Sequence, residues 1–197
     1  MSKDSETIAV YDSRAADYAA MTPSGAENMQ LNRFIAALNK GDNVLDLGCG
    51  PGAAAARMRD AGLSVIAMDA SPAMVKLAKE QFDLTVKQAT FDEIEGLHIY
   101  DGIWASFSLL HAKKSDFPRY LSALHRSLRP NGHFYIGMKL GTGEHRDDIG
   151  RFYAYYSEDE LTSHLEKAGF KTEDRSLSSG VGLDGKDAPW IMISAHA

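Results

Sequence analysis

Cysteine is nearly absent from this chain: Cys49 is the single one among 197 residues, so no internal disulfide can form. A lone thiol is typical of proteins in a reducing compartment. The first residues, Met-Ser-Lys-Asp-Ser-Glu, lack the apolar segment of a secretion signal, and no hydrophobic run approaches the ~20 residues that cross a membrane. These absences predict a cytoplasmic protein with no membrane partner.

Basic residues are outnumbered as well, with 21 Lys and Arg against 27 Asp and Glu for a net charge of −6. No basic block or basic stripe with interleaved aromatics occurs, which argues against nucleic acid as a partner. The seven histidines show no metal-ligand spacing, so no metal site is expected. The composition, 44% hydrophobic and 24% charged, is that of a soluble globular protein.

Strand and helix patterns alternate along the chain and predict a single α/β domain over residues 1–197. The predicted strands are 44–47, 63–69, 84–87, 100–107, 133–139, 170–177 and 189–196, and the main predicted helices are 52–61, 72–82, 116–128 and 158–168. Strands joined by helices form parallel, doubly wound sheets, whereas the last two strands have no helix between them. We therefore expect a Rossmann-like, seven-stranded, mostly parallel sheet with an antiparallel edge hairpin.

The first 40 residues are predicted to form cap helices beside this sheet. Residues 5–20 are typical of a short amphipathic helix or an extended cap, 22–25 of a turn, and 26–38 of a second helix. Tyr11 and Tyr18 are seven residues apart and share one helical face. Spacing alone favours two packing aromatics over a ligand contact.

Residues 43–52, Asn-Val-Leu-Asp-Leu-Gly-Cys-Gly-Pro-Gly, carry the functional prediction. A buried strand is predicted to end at Leu47, and Gly48, Gly50 and Gly52 form a turn that side chains would obstruct. A helix follows directly. Free backbone N–H groups and the positive end of the helix dipole converge at such a turn, which makes it a ligand cradle.

The glycine turn alone is compatible with more than one cofactor. Gly48, Gly50 and Ala53 loosely fit the dinucleotide fingerprint, and Asp69 ends the next strand, where NAD enzymes place a ribose-binding carboxylate. Asp46 argues against NAD, because a carboxylate beside the turn would repel a pyrophosphate by on the order of a few kcal/mol in poorly solvated surroundings. An ammonium and a sulfonium would be stabilised there. Together with a ribose diol at Asp69, these demands describe S-adenosylmethionine.

At four places the sequence resembles the class I S-adenosylmethionine-dependent methyltransferases. The matching segments are 44–52, 68–71, 100–105 and 128–134, the last with Asn131 where a glycine is commoner. In combination these motifs are specific for the superfamily. Compact bacterial members that resemble this chain include small-metabolite and tellurite-resistance-like methyltransferases, and no residue chooses among their acceptors. The resemblance implies S-adenosyl-L-methionine as the cofactor.

The resemblance also implies roles for residues at matching positions. Gly48 and Gly50 would line the methionine part of the cofactor, either donating to its carboxylate or letting the backbone pass close to it. Asp46 would hold the ammonium, and Asp69 the ribose hydroxyls. The remaining residues of the implied cofactor site are Ala105 at the methionine end, Ala70, Met74, Thr90 and Phe91 around the adenine, and Tyr18 on a segment that folds over the cofactor.

Methyl transfer from a sulfonium is an in-line displacement, so the protein mainly has to align donor and acceptor and exclude water. A base is needed only where the acceptor must lose a proton. Family geometry places His111, just after the fourth strand, above the transferred methyl group. There it is the candidate catalytic base and an acceptor contact. A structural histidine that hydrogen-bonds its loop is the alternative.

The segment 141–157 follows the fifth strand at the ligand end of the sheet and is the candidate wall of the acceptor site. Its arginines could clamp a carboxylate or another small anion, with a tyrosine stacked beside it. In the alternative, Arg151 pairs with Asp147 or Asp148 as a brace and the aromatics belong to the core. The candidate acceptor contacts are Tyr11, His111, Arg146, Arg151, Tyr153 and Tyr155.

The leading prediction is therefore a methyltransferase that acts on a small molecule. Nucleic-acid amino-methyltransferases of this superfamily carry an Asp/Asn-Pro-Pro-aromatic motif after the fourth strand, whereas residues 105–108 are Ala-Ser-Phe-Ser. Two alternatives are an NAD-dependent oxidoreductase and an S-adenosylmethionine-binding regulatory protein without turnover. The sequence specifies neither the acceptor nor the oligomeric state.

Overall fold

Nine strands and seven α-helices occur in residues 3–21 and 25–197, the part of the chain that this computed structural model describes. In chain order the strands are β1 (Asn43–Leu47), β2 (Ser64–Asp69), β3 (Val86–Gln88), β4 (Tyr100–Ser106), β5 (Leu128–Lys139), β6 (Glu144–Arg146), β7 (Phe152–Ala154), β8 (Lys171–Val181) and β9 (Asp187–His196). The helices are α1 (Ser5–Ser13), α2 (Ala15–Ala19), α3 (Gly25–Ala36), α4 (Ala53–Asp60), α5 (Pro72–Phe82), α6 (Phe117–Ser127) and α7 (Glu158–Ala168). The first three positions of the predicted turn 22–25 lie outside the described residues.

The main sheet confirms the predicted architecture. Its seven strands lie in the order β3-β2-β1-β4-β5-β9-β8, and the first five are parallel. β9 is antiparallel to both of its neighbours, so that β8 and β9 form the predicted hairpin at one edge. The strand order reverses between β1 and β4, and ligands of doubly wound sheets bind beside such a switch point.

Local sequence explains where two of the helices begin. Ser71 caps α5, its hydroxyl accepting a hydrogen bond from the N–H of Met74, and Pro72 occupies the first helical position. Ser157 caps α7 and forms the predicted capping box with Glu160. Within the described part of the chain, no helix is long and apolar enough to cross a membrane.

Some segments predicted as loops or turns are strands instead. β5 begins at Leu128 rather than at residue 133, because Leu128 pairs with Tyr100 and a bulge carries the chain past Asn131, whose φ is 62°. The predicted loop 141–151 contains β6, which pairs with β7 in a small separate sheet. The last turn is shorter than the predicted 178–187, since β8 continues to Val181.

One face of the main sheet carries the residues that form the site. Asp46, Trp104 and Tyr135 lie side by side on β1, β4 and β5. Further along β5, Lys139 lies beside Trp190 of β9. Tyr135 and Lys139 are four residues apart, and alternate residues of a strand point to the same side. All five side chains therefore belong to one face.

The cap of α7 generates a stability prediction. Ser157→Ala should lower the free energy of unfolding by about 1 kcal/mol, because the N–H of Glu160 loses its hydroxyl acceptor at the helix start. Urea unfolding of both proteins would measure the difference. Ser122→Ala is the matched control, since the Ser122 hydroxyl only donates to the carbonyl of Pro118 on an exposed helix surface. An equal loss in both variants would contradict the assigned cap.

Candidate active site

The glycine turn after β1 brings the backbone close to two neighbouring side chains. Gly48 and Gly50 have left-handed φ values of 72° and 54°. A Cβ added to Gly48 would lie 2.5 Å from the Cβ of Ser108, and one added to Gly50 would lie 3.3 Å from the ring of Tyr18. Residue 48 must be a glycine for two reasons: its φ is left-handed, and a side chain there would clash with Ser108.

The N–H groups of this turn are used within the protein. Gly48 and Cys49 both donate to the carbonyl of Met68, at 2.7 and 3.0 Å. The N–H of Gly50 donates to Asp69 at 2.9 Å. Of the two roles inferred for the glycines, the geometry therefore favours close passage of the backbone over donation to a ligand carboxylate.

Asp46 is a buried carboxylate with one oxygen left free. Its side chain is 2% exposed and lines a cavity of about 540 Å³ at the carboxyl ends of β1, β4 and β5. Its Oδ2 has no hydrogen-bond partner among the described residues. Burial raises the pKa of Asp46 to about 7, with the charge of Asp69 adding to the shift. A cation entering the cavity beside this oxygen would remove an energetic penalty, so the residue fits the ammonium of S-adenosylmethionine.

Asp69 is equally buried but is held by the backbone. Its two oxygens accept hydrogen bonds from the N–H groups of Gly50 and Ser71, each at 2.9 Å. Burial raises the pKa of Asp69, and these hydrogen bonds act against the shift. Each carboxylate oxygen keeps a second lone pair, so acceptance from ribose hydroxyls remains compatible with these bonds.

Tyr18 and Tyr11 fill the space in front of Asp69. The two rings meet edge to face with centroids 5.5 Å apart. A second cavity beside them, lined by Asp69 and Met74 among others, has a volume of only about 20 Å³, which is room for about one water molecule. If Asp69 binds a ribose as predicted, a nucleoside beside it would require Tyr18 to move away from Gly50.

Helix α1 is fixed over the sheet by three polar contacts. Asp12 accepts hydrogen bonds from the Ser71 hydroxyl at 2.5 Å and from the N–H of Ala73 at 3.2 Å, at the start of α5. The hydroxyl of Thr7 accepts from the N–H of Phe152 at 2.8 Å. These bonds hold Tyr11 between the glycine turn and β7.

Tyr11 links His111 to Arg151. His111 Nδ1 lies 2.6 Å from the carbonyl oxygen of Phe152, so it carries the proton and donates there. Its Nε2 is then an acceptor, and the Tyr11 hydroxyl donates a hydrogen bond to it at 2.8 Å. The same Tyr11 oxygen accepts from Arg151 Nη1 at 3.2 Å. Asp147 completes the chain by accepting from Arg151 Nε at 2.9 Å.

This network bears on both predicted roles of His111. Burial lowers its pKa to about 3, so the imidazole is neutral at physiological pH. The lone pair of its Nε2 already accepts a hydrogen bond from Tyr11. Its bond to the carbonyl of Phe152 is of the kind expected for a structural histidine, the alternative to a catalytic base. His111 lines the smaller cavity, so its position also agrees with the catalytic prediction, which stays a prediction.

The predicted acceptor contacts divide between the cavity and its surroundings. Tyr11, Arg151 and Tyr153 line the large cavity. Arg146 is corrected to a surface brace, because β6 turns its side chain outward to Asp4, at 2.9 and 3.0 Å. Tyr155 lies one ring further out than Tyr153, stacked on that ring at 5.7 Å, and lines neither cavity.

Four residues of the implied cofactor site also lie outside both cavities. Thr90 caps a short turn, its N–H donating to Glu93 at 2.9 Å. Phe91 is buried against Tyr120, with ring centroids 5.4 Å apart. The other two, Ala70 and Ala105, are buried and line neither cavity.

Sequence reasoning missed several residues that line the large cavity. Trp104 could have been placed from its pairing beside Asp46, since both belong to predicted strands. Lys139 ends β5 and lies beside Trp190 of β9, but this neighbourhood depends on the register between the two strands, which the sequence does not specify. Phe107 has a φ of 51°, which is unusual for a bulky residue, and sequence carries no signal for it. No group of metal-ligating side chains occurs among the described residues.

Asp46 should make the ligand-free protein less stable as the pH rises. The unfolded carboxyl ionises near 3.8 and the folded one near 7, so between these values the folded state keeps a proton that the unfolded state has lost. A difference of about 3 in pKa corresponds to about 4 kcal/mol. In urea unfolding, the advantage of Asp46→Asn over the wild type should grow from about pH 4 to pH 7 and then level off. A pH-independent difference would contradict the buried, protonated carboxyl.

His111 should act in the opposite direction. Its folded pKa of about 3 lies below the unfolded value of 6.5, so the unfolded state binds a proton that the folded state does not, and stability is lost as the pH falls below 6.5. At pH 5 the loss is about 2 kcal/mol. His111→Gln should therefore lose less stability between pH 7 and pH 5 than the wild type in urea unfolding. A steeper loss in the variant would show that His111 is protonated in the folded state.

Comparisons with known proteins agree with the geometry. A family model described as a methyltransferase domain matches residues 26–174. The malonyl-[acyl-carrier protein] O-methyltransferase of Pseudescherichia vulneris is 34% identical over 94 residues, which are 46% of this chain and 36% of that protein. An uncharacterized methyltransferase of Synechocystis is 32% identical over 108 residues, 51% of this chain and 48% of that protein. The chain thus matches between about a third and a half of the length of these curated relatives.

Among solved structures, the 1,6-didemethyltoxoflavin-N1-methyltransferase of Burkholderia thailandensis, crystallised with 1,6-didemethyltoxoflavin and S-adenosylhomocysteine, superposes with a TM-score of 0.76. The alignment covers 96% of this chain and 87% of that one at 24% identity, which supports the fold. The family match covers most of the chain and includes the glycine turn, both aspartates and His111. The chain therefore belongs to the methyltransferase domain family, with the fold of the class I S-adenosylmethionine-dependent enzymes.

Proposed function

We propose that this protein transfers the methyl group of S-adenosylmethionine to a small-molecule acceptor by in-line displacement. The observation that carries the proposal is the buried carboxyl group of Asp46, which lines the large cavity and has one oxygen without a hydrogen-bond partner among the described residues. A pyrophosphate would be repelled by the ionised form of Asp46 and would gain no charge pairing from the protonated form, so the residue also argues against the NAD alternative. Family membership supports the same choice.

The residues that would hold the cofactor lie around the first two strand ends. Asp46 would bind the ammonium, and the turn at Gly48 and Gly50 would let the methionine part pass close to the backbone. Asp69 would accept from the ribose hydroxyls after Tyr18 has moved. When bound, S-adenosylmethionine supplies an electrophilic methyl group on a sulfonium.

The size and walls of the large cavity support a small acceptor. A volume of about 540 Å³ lies within the ~300–1,000 Å³ typical of small-ligand sites. It must hold the methionine part and the acceptor together. The walls include Trp104, Phe107 and Trp190, which exclude water from the reacting groups. The Burkholderia protein, whose structure holds a small molecule beside S-adenosylhomocysteine, agrees with this choice.

Alignment is proposed to contribute more to the rate than proton removal. An effective base has a pKa near the working pH, whereas burial holds the pKa of His111 at about 3. A proton leaving an acceptor would reach His111 through the Tyr11 hydroxyl, which donates to Nε2 and accepts from Arg151. Tyr11 and Tyr153 would then position the acceptor against the methyl group.

Calorimetry with S-adenosylhomocysteine tests the cofactor assignment. An ammonium beside Asp46 lowers the carboxyl pKa from about 7, so binding near pH 7 should release a fraction of a proton. The measured enthalpy should therefore differ between two buffers of different ionisation enthalpy, and Asp46→Asn should abolish this difference. NAD should not bind. Binding of NAD without S-adenosylhomocysteine would overturn the proposal.

Transfer itself is tested with labelled methyl. Incubation of the protein with methyl-labelled S-adenosylmethionine and a panel of phenols, thiols, amines and carboxylic acids should label at least one class. Cofactor binding with no label on any class would favour a regulatory protein that binds S-adenosylmethionine without turnover.

A further inference from the structure

Lys139 brings a positive charge into the large cavity at the end opposite Asp46. It is the last residue of β5 and is partly buried. Its Nζ lies 4.6 Å from the ring centroid of Tyr153. Among the described residues, no carboxylate oxygen lies within 4.0 Å of this ammonium and no hydrogen-bond acceptor is assigned to it. The three N–H donors of this ammonium therefore have no assigned protein acceptor among the described residues, and the side chain lines the cavity.

The neighbouring cation, Arg151, is already engaged by other protein groups and is less available to bind a ligand. Its guanidinium is 2% exposed, and its Nε and Nη2 lie 2.9 and 2.8 Å from the Asp147 carboxylate. Its Nη1 donates to Tyr11. Asp184 lies 3.9 Å from Nη2. Arg151 is therefore an internal brace that keeps only its buried Nη2 without a hydrogen bond, although that atom lies close to Asp147. Arg57, which also lines the cavity, donates to Asn28 and Asn32. Lys139 differs from both, since no hydrogen-bond acceptor is assigned to its ammonium among the described residues.

Burial lowers the pKa of Lys139, and the charge of Arg151 acts in the same direction. Asp184 and Asp147 oppose the shift from beyond hydrogen-bond distance. A negatively charged group that contacted the ammonium would, like these two carboxylates, raise the pKa of Lys139. An anion bound at this end of the cavity would therefore stabilise the charged form of Lys139.

Aromatic side chains form the wall between Asp46 and Lys139. Trp104 lies beside Asp46 in the sheet and stacks on Tyr135, with ring centroids 3.8 Å apart and planes 9° apart. Trp190 lies beside Lys139 in the sheet. The ring of Phe107 meets Trp190 edge to face at 5.8 Å. Apolar, flat surfaces therefore connect the two charged ends.

The spacing of these ends matches a ring-sized acceptor. Tyr135 is level with Asp46, and Lys139 is four residues further along β5, which is about 13 Å at the usual rise of a strand. The methionine part of the cofactor would occupy the Asp46 end. The remaining length accommodates one ring system and one substituent.

We propose that Lys139 binds the negatively charged group of a planar aromatic methyl acceptor, whose ring lies against Trp104, Phe107 and Trp190. This inference rests on the proposed function and specifies its acceptor as an aromatic or heteroaromatic anion. Lys139 is a binding residue that selects by charge, and the turn after β8 encloses it. Gly182 makes room there, since a Cβ at that position would lie 3.3 Å from Nζ.

Three matched pairs of probes test the proposal: 2-hydroxybenzoate, 4-hydroxybenzoate and nicotinate, each with its neutral amide. Binding is measured by calorimetry with the protein saturated with S-adenosylhomocysteine. At least one carboxylate should bind at least about tenfold more tightly than its amide, as expected for a charge-assisted hydrogen bond. Lys139→Met should abolish this preference, and Lys139→Arg should retain part of it.

Lys114→Met is the matched control. Its Nζ also lies 4.6 Å from a tyrosine ring, that of Tyr156, but it lies outside the cavity. This variant should keep the preference for the carboxylate. S-adenosylhomocysteine should bind to all four proteins with similar affinity.

Two results would overturn the inference without touching the proposed function. The first is that S-adenosylhomocysteine binds but none of the carboxylates binds more tightly than its amide. The second is that the preference persists in Lys139→Met. Failure of the wild type to bind S-adenosylhomocysteine would instead overturn the proposed function itself.

Discussion

Two carboxylates buried at neighbouring strand ends are the constraint on which the site depends. Asp46 and Asp69 are each 2% exposed, and the charge of Asp69 adds to the raised pKa of Asp46. Backbone N–H groups stabilise Asp69, whereas one oxygen of Asp46 has no partner among the described residues. The fold thus satisfies one carboxylate internally and leaves the other to a cation. The glycine turn provides the close approach that such a cation needs.

The features that the sequence predicts correctly are those that depend on residues close together in the chain. The glycine turn, Ser71 and Ser157 depend on neighbours a few residues away, and their local patterns predicted them correctly. The alternation of strands and helices predicted the sheet and its edge hairpin. The family resemblance predicted that Asp46 and Asp69 share one site. The structure places them close together because they lie at the ends of adjacent parallel strands.

The residues around the acceptor depend on contacts that no local pattern specifies. Tyr11 meets His111 across 100 residues, and this contact occupies the imidazole nitrogen that the bond to Phe152 leaves as an acceptor. Arg146 was predicted to reach the ligand, but the unpredicted pairing of β6 with β7 turns it to the surface. Lys139 was overlooked because a lysine at a strand end carries no sequence signal. Its significance comes from Trp190 beside it.

Helix α1 is attached to the rest of the protein by two kinds of contact. At its start, Arg146 bridges Asp4 and Glu6 on the surface. Near its end, Tyr11 is buried in hydrogen bonds with His111 and Arg151. Dissolved ions screen exposed charge pairs far more than buried ones. Ionic strength therefore affects the surface bridge from Arg146 to the start of α1, whereas the buried contacts of Thr7 and Tyr11 are shielded from it.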